Sequence, residues 1–343
     1  MATKSLVKAI KIIFAAIIII SLALFIRSTD LQKIWTSLLQ VGFKFFTIIV
    51  TTFLAYLLGA VGWRFCMSAD GRKIAVPMLF MIRQVSETVA LLNPASIVGG
   101  EAVKVALLKN AGLKSINVIP SIIISRSIMI ATHVFLLVIA GLTIAISLPP
   151  GILRQNIAIA GLVFSILVII FMVVFKHNDR LRTLFVSTNL QVPGSRMGKI
   201  KTRIKSVLRE VHLYLATERK AVVFSALFFA LHWIIGSLEF YFILKFLGIN
   251  INLADALFLD MGVILFKSAG AYVPAQAGFE EYGNKIMLSL IGIAGNEIWM
   301  TVSLLKRIRQ LFWITASGFF YLYVRKNGSD LFNRTNGNII CEP

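Results

Sequence analysis

Six long apolar blocks constrain this chain more than any other feature: residues 10–26, 45–63, 117–148, 157–175, 221–244 and 297–324. A bilayer core takes about 20 apolar residues per helix, and most of these blocks supply them. Inside hydrocarbon, backbone N–H and C=O groups must be satisfied within the segment, so such blocks dictate helices. Hydrophobic residues make up 58% of the 343 and charged residues 15%, more apolar material than a water-soluble core of this size needs. The chain reads as an all-α polytopic membrane protein, one integral membrane domain over residues 1–343.

A net charge of +20 would point to nucleic acid in a soluble protein. Here the Lys and Arg residues lie mainly between the apolar blocks, so no nucleic-acid partner is expected, and anionic lipid headgroups at the inner leaflet are. With Lys4, Lys8 and Lys11 cytoplasmic, the crossings bring Arg64, Arg72 and Lys73, the segment 176–220 with its eleven Lys/Arg, and Arg325, Lys326 and Arg334 to one side. Both termini are then cytoplasmic. The first block resembles a signal peptide, but Ser28-Thr29-Asp30 lacks a small-residue cleavage site, and an uncleaved first helix is expected. Within the basic cytoplasmic loop, 176–219, Met197, Ile200, Ile204, Val207, Leu208, Val211 and Leu215 keep helical spacing, as in an amphipathic helix on a membrane surface. Cys66 and Cys341 are the two cysteines, which excludes a disulfide framework or a cysteine metal site.

Two Pro/Gly-broken segments repeat. Pro94-Ala95-Ser96-Ile97-Val98-Gly99-Gly100-Glu101 and Pro274-Ala275-Gln276-Ala277-Gly278-Phe279-Glu280-Glu281 both read Pro-Ala, five residues, Glu. Each follows a shorter amphipathic stretch and is followed by a lysine (Lys104, Lys285) and an apolar run. An arginine comes 25 or 26 residues after each Glu: Arg126, and Arg307 flanked by Lys306 and Arg309. The crossings between the two copies are odd in number, so the halves are expected to be an inverted-topology repeat, a plan common among transporters. The first half runs 41–148 with a re-entrant hairpin at 76–108, and the second 221–325 with a hairpin at 253–293. The expected fold is therefore about six spanning helices plus two re-entrant helical hairpins.

Irregular backbone at membrane depth is tolerated where it is buried in protein or lines a wet cavity, so both hairpin tips are expected to face one central cavity. Asn93 and Pro94 read as an N-cap and first helical position, and Gly99 and Gly100 as a place of close backbone approach. Helix N-termini aimed at a cavity favour phosphate-like anions. Charged side chains in spanning helices cost roughly 2.5–3.5 kcal/mol on insertion scales and so seek partners or water. Glu101 with Arg126, and Glu281 with Arg307, are the expected pairs. The expected substrate-binding residues are Asn93, Pro94, Gly99, Gly100, Glu101, Lys104, Arg126, Pro274, Gln276, Gly278, Glu280, Glu281, Arg307 and Arg309. His133, His232, Glu239, Asp260 and Lys267 also interrupt apolar runs, but single residues of this kind more often pack with hydrogen-bonded partners than act on a ligand.

At Pro94 to Lys104 (PASIVGGEAVK) and Pro274 to Glu281 (PAQAGFEE), with the arginine-bearing helices after them, the chain resembles the flippase-like transmembrane region of the lysylphosphatidylglycerol synthase family, over residues 8–325. The resemblance implies movement of a phospholipid or polyprenyl-linked lipid across the cytoplasmic membrane of a prokaryote. Some relatives carry a soluble aminoacyltransferase domain after the membrane part; this sequence stops at Pro343, so a stand-alone member without lysyl transfer is expected. Ala277-Gly278-Phe279 departs from a Pro-Gly-Gly pattern, which leaves the headgroup open.

The expected function is a lipid flippase or lipid transporter, not an enzyme, whose cavity takes a phosphate-containing or otherwise anionic headgroup. The alternatives are a membrane-embedded lipid-modifying transferase with Glu101 or Glu281 as base, and an accessory subunit of a separate synthase or glycosyltransferase. No His-rich metal cluster, nucleophile motif, nucleotide loop or ATP-binding motif occurs, so no metal or cofactor is expected.

Overall fold

The computed structural model describes residues 39, 41–93, 96–110, 113, 115–147, 207, 209–211, 213–271, 273–293 and 295–337. These residues form helices and connecting turns. In order they are α1 (Phe45–Phe65), α2 (Val76–Leu92), α3 (Ser96–Asn110), α4 (Ser115–Ser147), α5 (Arg219–Phe246), α6 (Leu253–Ala269), α7 (Phe279–Leu290) and α8 (Asn296–Gly337). The apolar blocks at 10–26 and 157–175, most of the basic loop at 176–219, and Cys341 lie outside the described residues.

Among the described residues, three helices are long and apolar enough to cross a membrane: Gly42–Phe65, Val118–Ile146 and Arg219–Phe246. Phe46, Ile130, Phe135 and Val223 on these helices are more than half exposed, an outer surface suited to lipid rather than water. The block at 297–324, expected to span, lies within α8. That helix has 42 residues, about 63 Å of length, but Lys306, Arg307, Arg309 and Gln310 sit buried in its middle. It is long enough to cross and is not among the three continuously apolar helices.

Both broken segments fold as two short helices packed on one another, α2 with α3 and α6 with α7. In each half the element order is an apolar helix, a short pair and a long helix. The long helices cross over, α8 packing on α2 and α4 on α6. Two apolar clusters result, one around Trp63, Leu79, Ile82, Leu108 and Phe229, the other around Ile48, Phe240, Leu259, Val263 and Leu305. Helices α1 and α5 join them: Gly62 lets the Phe229 ring approach, and the Ser225 hydroxyl donates to the Gly62 carbonyl at 3.0 Å.

Asn93 is extended (φ −104°, ψ 132°) and ends α2, its backbone N–H donating to the Val89 carbonyl at 3.0 Å. Extended backbone is what proline imposes on the residue before it, and the described part of α3 starts at Ser96. Pro94 lies outside the described residues. Gly100 serves helix packing: a Cβ there would stand 2.6 Å from the Ser86 carbonyl oxygen, and the Ser86 hydroxyl donates to the Gly100 carbonyl at 2.8 Å. Gly100→Val should therefore force α3 away from α2 and cost about 2–3 kcal/mol, read as a lower unfolding midpoint of the full chain in detergent. An unchanged midpoint would mean that the two helices do not touch as closely as described.

Candidate functional site

Between the two apolar clusters lies a cavity of about 380 Å³, walled by α1, α2, α4, α5, α6 and α8 and by the turn Pro274–Gln276. Charged side chains line it because each spanning helix turns its few polar residues inward, where partners satisfy them.

On the first-half side, Arg126 of α4 donates through Nε to Glu101 of α3 and through Nη2 to Glu87 of α2 at 2.9 Å. Lys104 lies 3.1 Å from Glu101 and 4.0 Å from Glu87, with its Nζ 5.1 Å from the centroid of the Trp63 ring. Three helices are thus tied at one point, with Arg126 at the cavity wall and Glu101 and Lys104 behind it.

On the second-half side, Arg307 of α8 donates through Nε to Glu281 at 2.8 Å, and through Nη1 to the Ala275 carbonyl at 2.9 Å and to Gln310 at 3.2 Å. Glu281 in turn accepts the Gly278 N–H at 2.8 Å, capping α7. Its neighbour Glu280 takes Gln310 Nε2 at 2.7 Å and lies 3.4 Å from Lys267 of α6. The turn that Arg307 holds is strained, with Ala275 and Gln276 both left-handed at φ 55° and 52°. Gly278, at φ 84°, takes that region as only glycine does freely.

A third cluster crosses the middle. Arg309 pairs with Glu239 of α5 at 2.5 Å and donates to the Tyr56 hydroxyl of α1 at 2.5 Å. Lys306 lies 3.7 Å from Asp260 of α6, and 3.7 Å from the centroid of the Phe240 ring.

Both arginine–glutamate pairs read from the repeat are formed. Of the residues named from the sequence, Arg126, Gln276 and Arg309 line the cavity. Glu280, Glu281 and Arg307 brace the second turn, Asn93, Gly99 and Gly100 are buried at the first helix pair, and Pro274 opens the second turn. His232, Glu239, Asp260 and Lys267, given no role from the sequence, reach the cavity wall together. His133 does not; its Nε2 meets the Met261 carbonyl at 3.1 Å, as a packed histidine would. The sequence reading missed Tyr56, Arg83 and Glu87. Arg83 and Glu87 had a signal, since they are the two charged residues of α2 and stand one turn apart on one face.

The family model described as Lysylphosphatidylglycerol synthase TM region matches residues 9–318 of the 343. With the three apolar helices, the match makes this a helical membrane protein of a lipid-related family. No curated protein and no solved structure matches the chain.

Proposed function

We propose that this chain, which belongs to the lysylphosphatidylglycerol synthase transmembrane-region family, moves a lipid across the membrane without altering it chemically. The observation that carries the proposal is the charged cavity enclosed between two broken helix pairs in a body whose outer face is apolar. At about 380 Å³ it suits a headgroup rather than a whole lipid. The headgroup enters the cavity while the acyl chains stay in the bilayer, which removes the main cost of crossing, the polar group's passage through hydrocarbon.

The repeated element order supports an inverted repeat in which each short pair is a re-entrant hairpin, open in turn to one side. Arg126 faces an anionic headgroup at the wall, and Glu101 and Glu87 compete for it, so that binding is reversible. The positive-inside pattern puts both termini in the cytoplasm, in the cytoplasmic membrane of a prokaryote.

Vesicles holding the purified chain and a fluorescent phosphatidylglycerol analogue test this, with a membrane-impermeant quencher reporting exchange between leaflets. The wild type should exchange the lipid well above empty vesicles, and Arg126→Ala at least about tenfold more slowly. Wild-type exchange equal to that of empty vesicles would end the proposal.

A further inference from the structure

Arg83 lies on α2 at the cavity wall and is 4% exposed. Its guanidinium meets two neutral groups: Nη1 donates to the Tyr56 carbonyl at 3.0 Å, and Nη2 lies 3.4 Å from His232 Nε2. The other imidazole nitrogen, Nδ1, is 2.7 Å from the Ala55 carbonyl. A carbonyl can only accept, so the proton sits on Nδ1. Nε2 then offers Arg83 a lone pair, and the ring carries no charge.

The other cations around the cavity are matched. Lys104 and Arg126 have Glu101 and Glu87, Lys267 has Glu280, Lys306 has Asp260, Arg307 has Glu281 and Arg309 has Glu239. Among the described residues, no carboxylate lies within 4.0 Å of Arg83. Glu87, one turn further along α2, is engaged by Arg126 and Lys104. The chain also keeps room for this charge, because a Cβ on Gly59 of α1 would collide with the Arg83 guanidinium.

A buried cation with no carboxylate in contact is unfavourable, and a ligand can supply what the fold does not. The planar fork of arginine fits phosphate oxygens, and three of the five N–H groups of Arg83 take no part in its two contacts. Across the same cavity, the buried Gln276 side-chain oxygen has no partner among the described residues, a second polar group aimed at the space.

We infer that Arg83 is the anchor of a phosphate-bearing ligand in this cavity, with the fixed, neutral His232 orienting its guanidinium. The inference rests on the lipid-moving function for the source of that phosphate, a phospholipid headgroup, and not for the anion site itself.

The test uses the detergent-solubilised full chain and its unfolding midpoint as a function of three probes: dihexanoyl phosphatidylglycerol, dihexanoyl glycerol and inorganic phosphate. The phosphate-bearing lipid should raise the wild-type midpoint and the phosphate-free lipid should not. Arg83→Gln should weaken the apparent affinity for the phosphate-bearing lipid at least about tenfold. Gly59→Ala, which keeps the arginine but takes its space, should weaken it too. Without any probe, Arg83→Gln should melt no lower than wild type, since it removes a buried charge that no carboxylate touches. Wild-type responses in both variants, or equal responses to the two lipids, would overturn the inference. So would a clearly lower probe-free midpoint for Arg83→Gln, which would make the residue a support of the fold. A response to inorganic phosphate as large as that to the lipid keeps the anion site and removes its tie to lipid. Vesicle exchange separates the two ideas: exchange with Arg83-independent binding sinks the anchor alone, and Arg83-dependent binding without exchange sinks lipid movement alone.

Discussion

Arg309→Gln is expected to destabilise the chain by about 3–5 kcal/mol, because it leaves Glu239 ionised, buried and without its cation. The two side chains are 8% and 5% exposed and lie 2.5 Å apart. The same arginine holds the Tyr56 hydroxyl, so α8 would lose one tie to α5 and one to α1. Adding Glu239→Gln should recover most of the loss, since a neutral amide pair carries no unmatched charge. Unfolding in detergent of the two single variants and the double variant checks this. If the double variant were less stable than Arg309→Gln alone, the destabilisation would have another source.

The second large effect is expected at Arg307→Ala. Ala275 and Gln276 occupy left-handed backbone, which costs an L-residue roughly 1–2 kcal/mol, and Ala275 is fully buried there. Arg307 offsets that strain by binding the Ala275 carbonyl while also holding Glu281, the residue that caps α7. Its removal should cost about 2–4 kcal/mol and loosen the second broken segment first. Amide hydrogen exchange should accelerate over residues 273–290 and much less in α1 and α5. Adding Ala275→Gly should restore about 1 kcal/mol by relieving the backbone. Uniform acceleration along the chain would mean that Arg307 acts on global packing and not on this turn.

Much of the arrangement was legible because the membrane imposes simple rules. Apolar length gave α1, α4 and α5, and the Pro/Gly breaks gave the two short helix pairs, since few other residues interrupt a helix there. The recurrence of Glu and Arg at matched distance gave two ion pairs, because a charge in an apolar helix must meet its opposite. That Asn93 also closes α2 was not read, because Asn before Pro fits either side of a break. Gly100 was read as a place of close backbone approach, and the group that approaches it is the neighbouring helix.

By itself the sequence determined that the chain is helical, where its apolar segments run and where they break, and it offered Glu101 and Glu281 as candidate partners of Arg126 and Arg307. Those are local properties, set by residue hydrophobicity, backbone geometry and spacing along one chain. The tertiary structure decided which charges share the cavity, since that depends on the crossing of α8 onto α2 and of α4 onto α6. It moved Glu101, Lys104 and Arg307 into bracing roles, and it brought Arg83 to the wall beside the neutral His232. Spacing along the chain shows which charges can be paired; the packed helices are what left Arg83 with no carboxylate in contact.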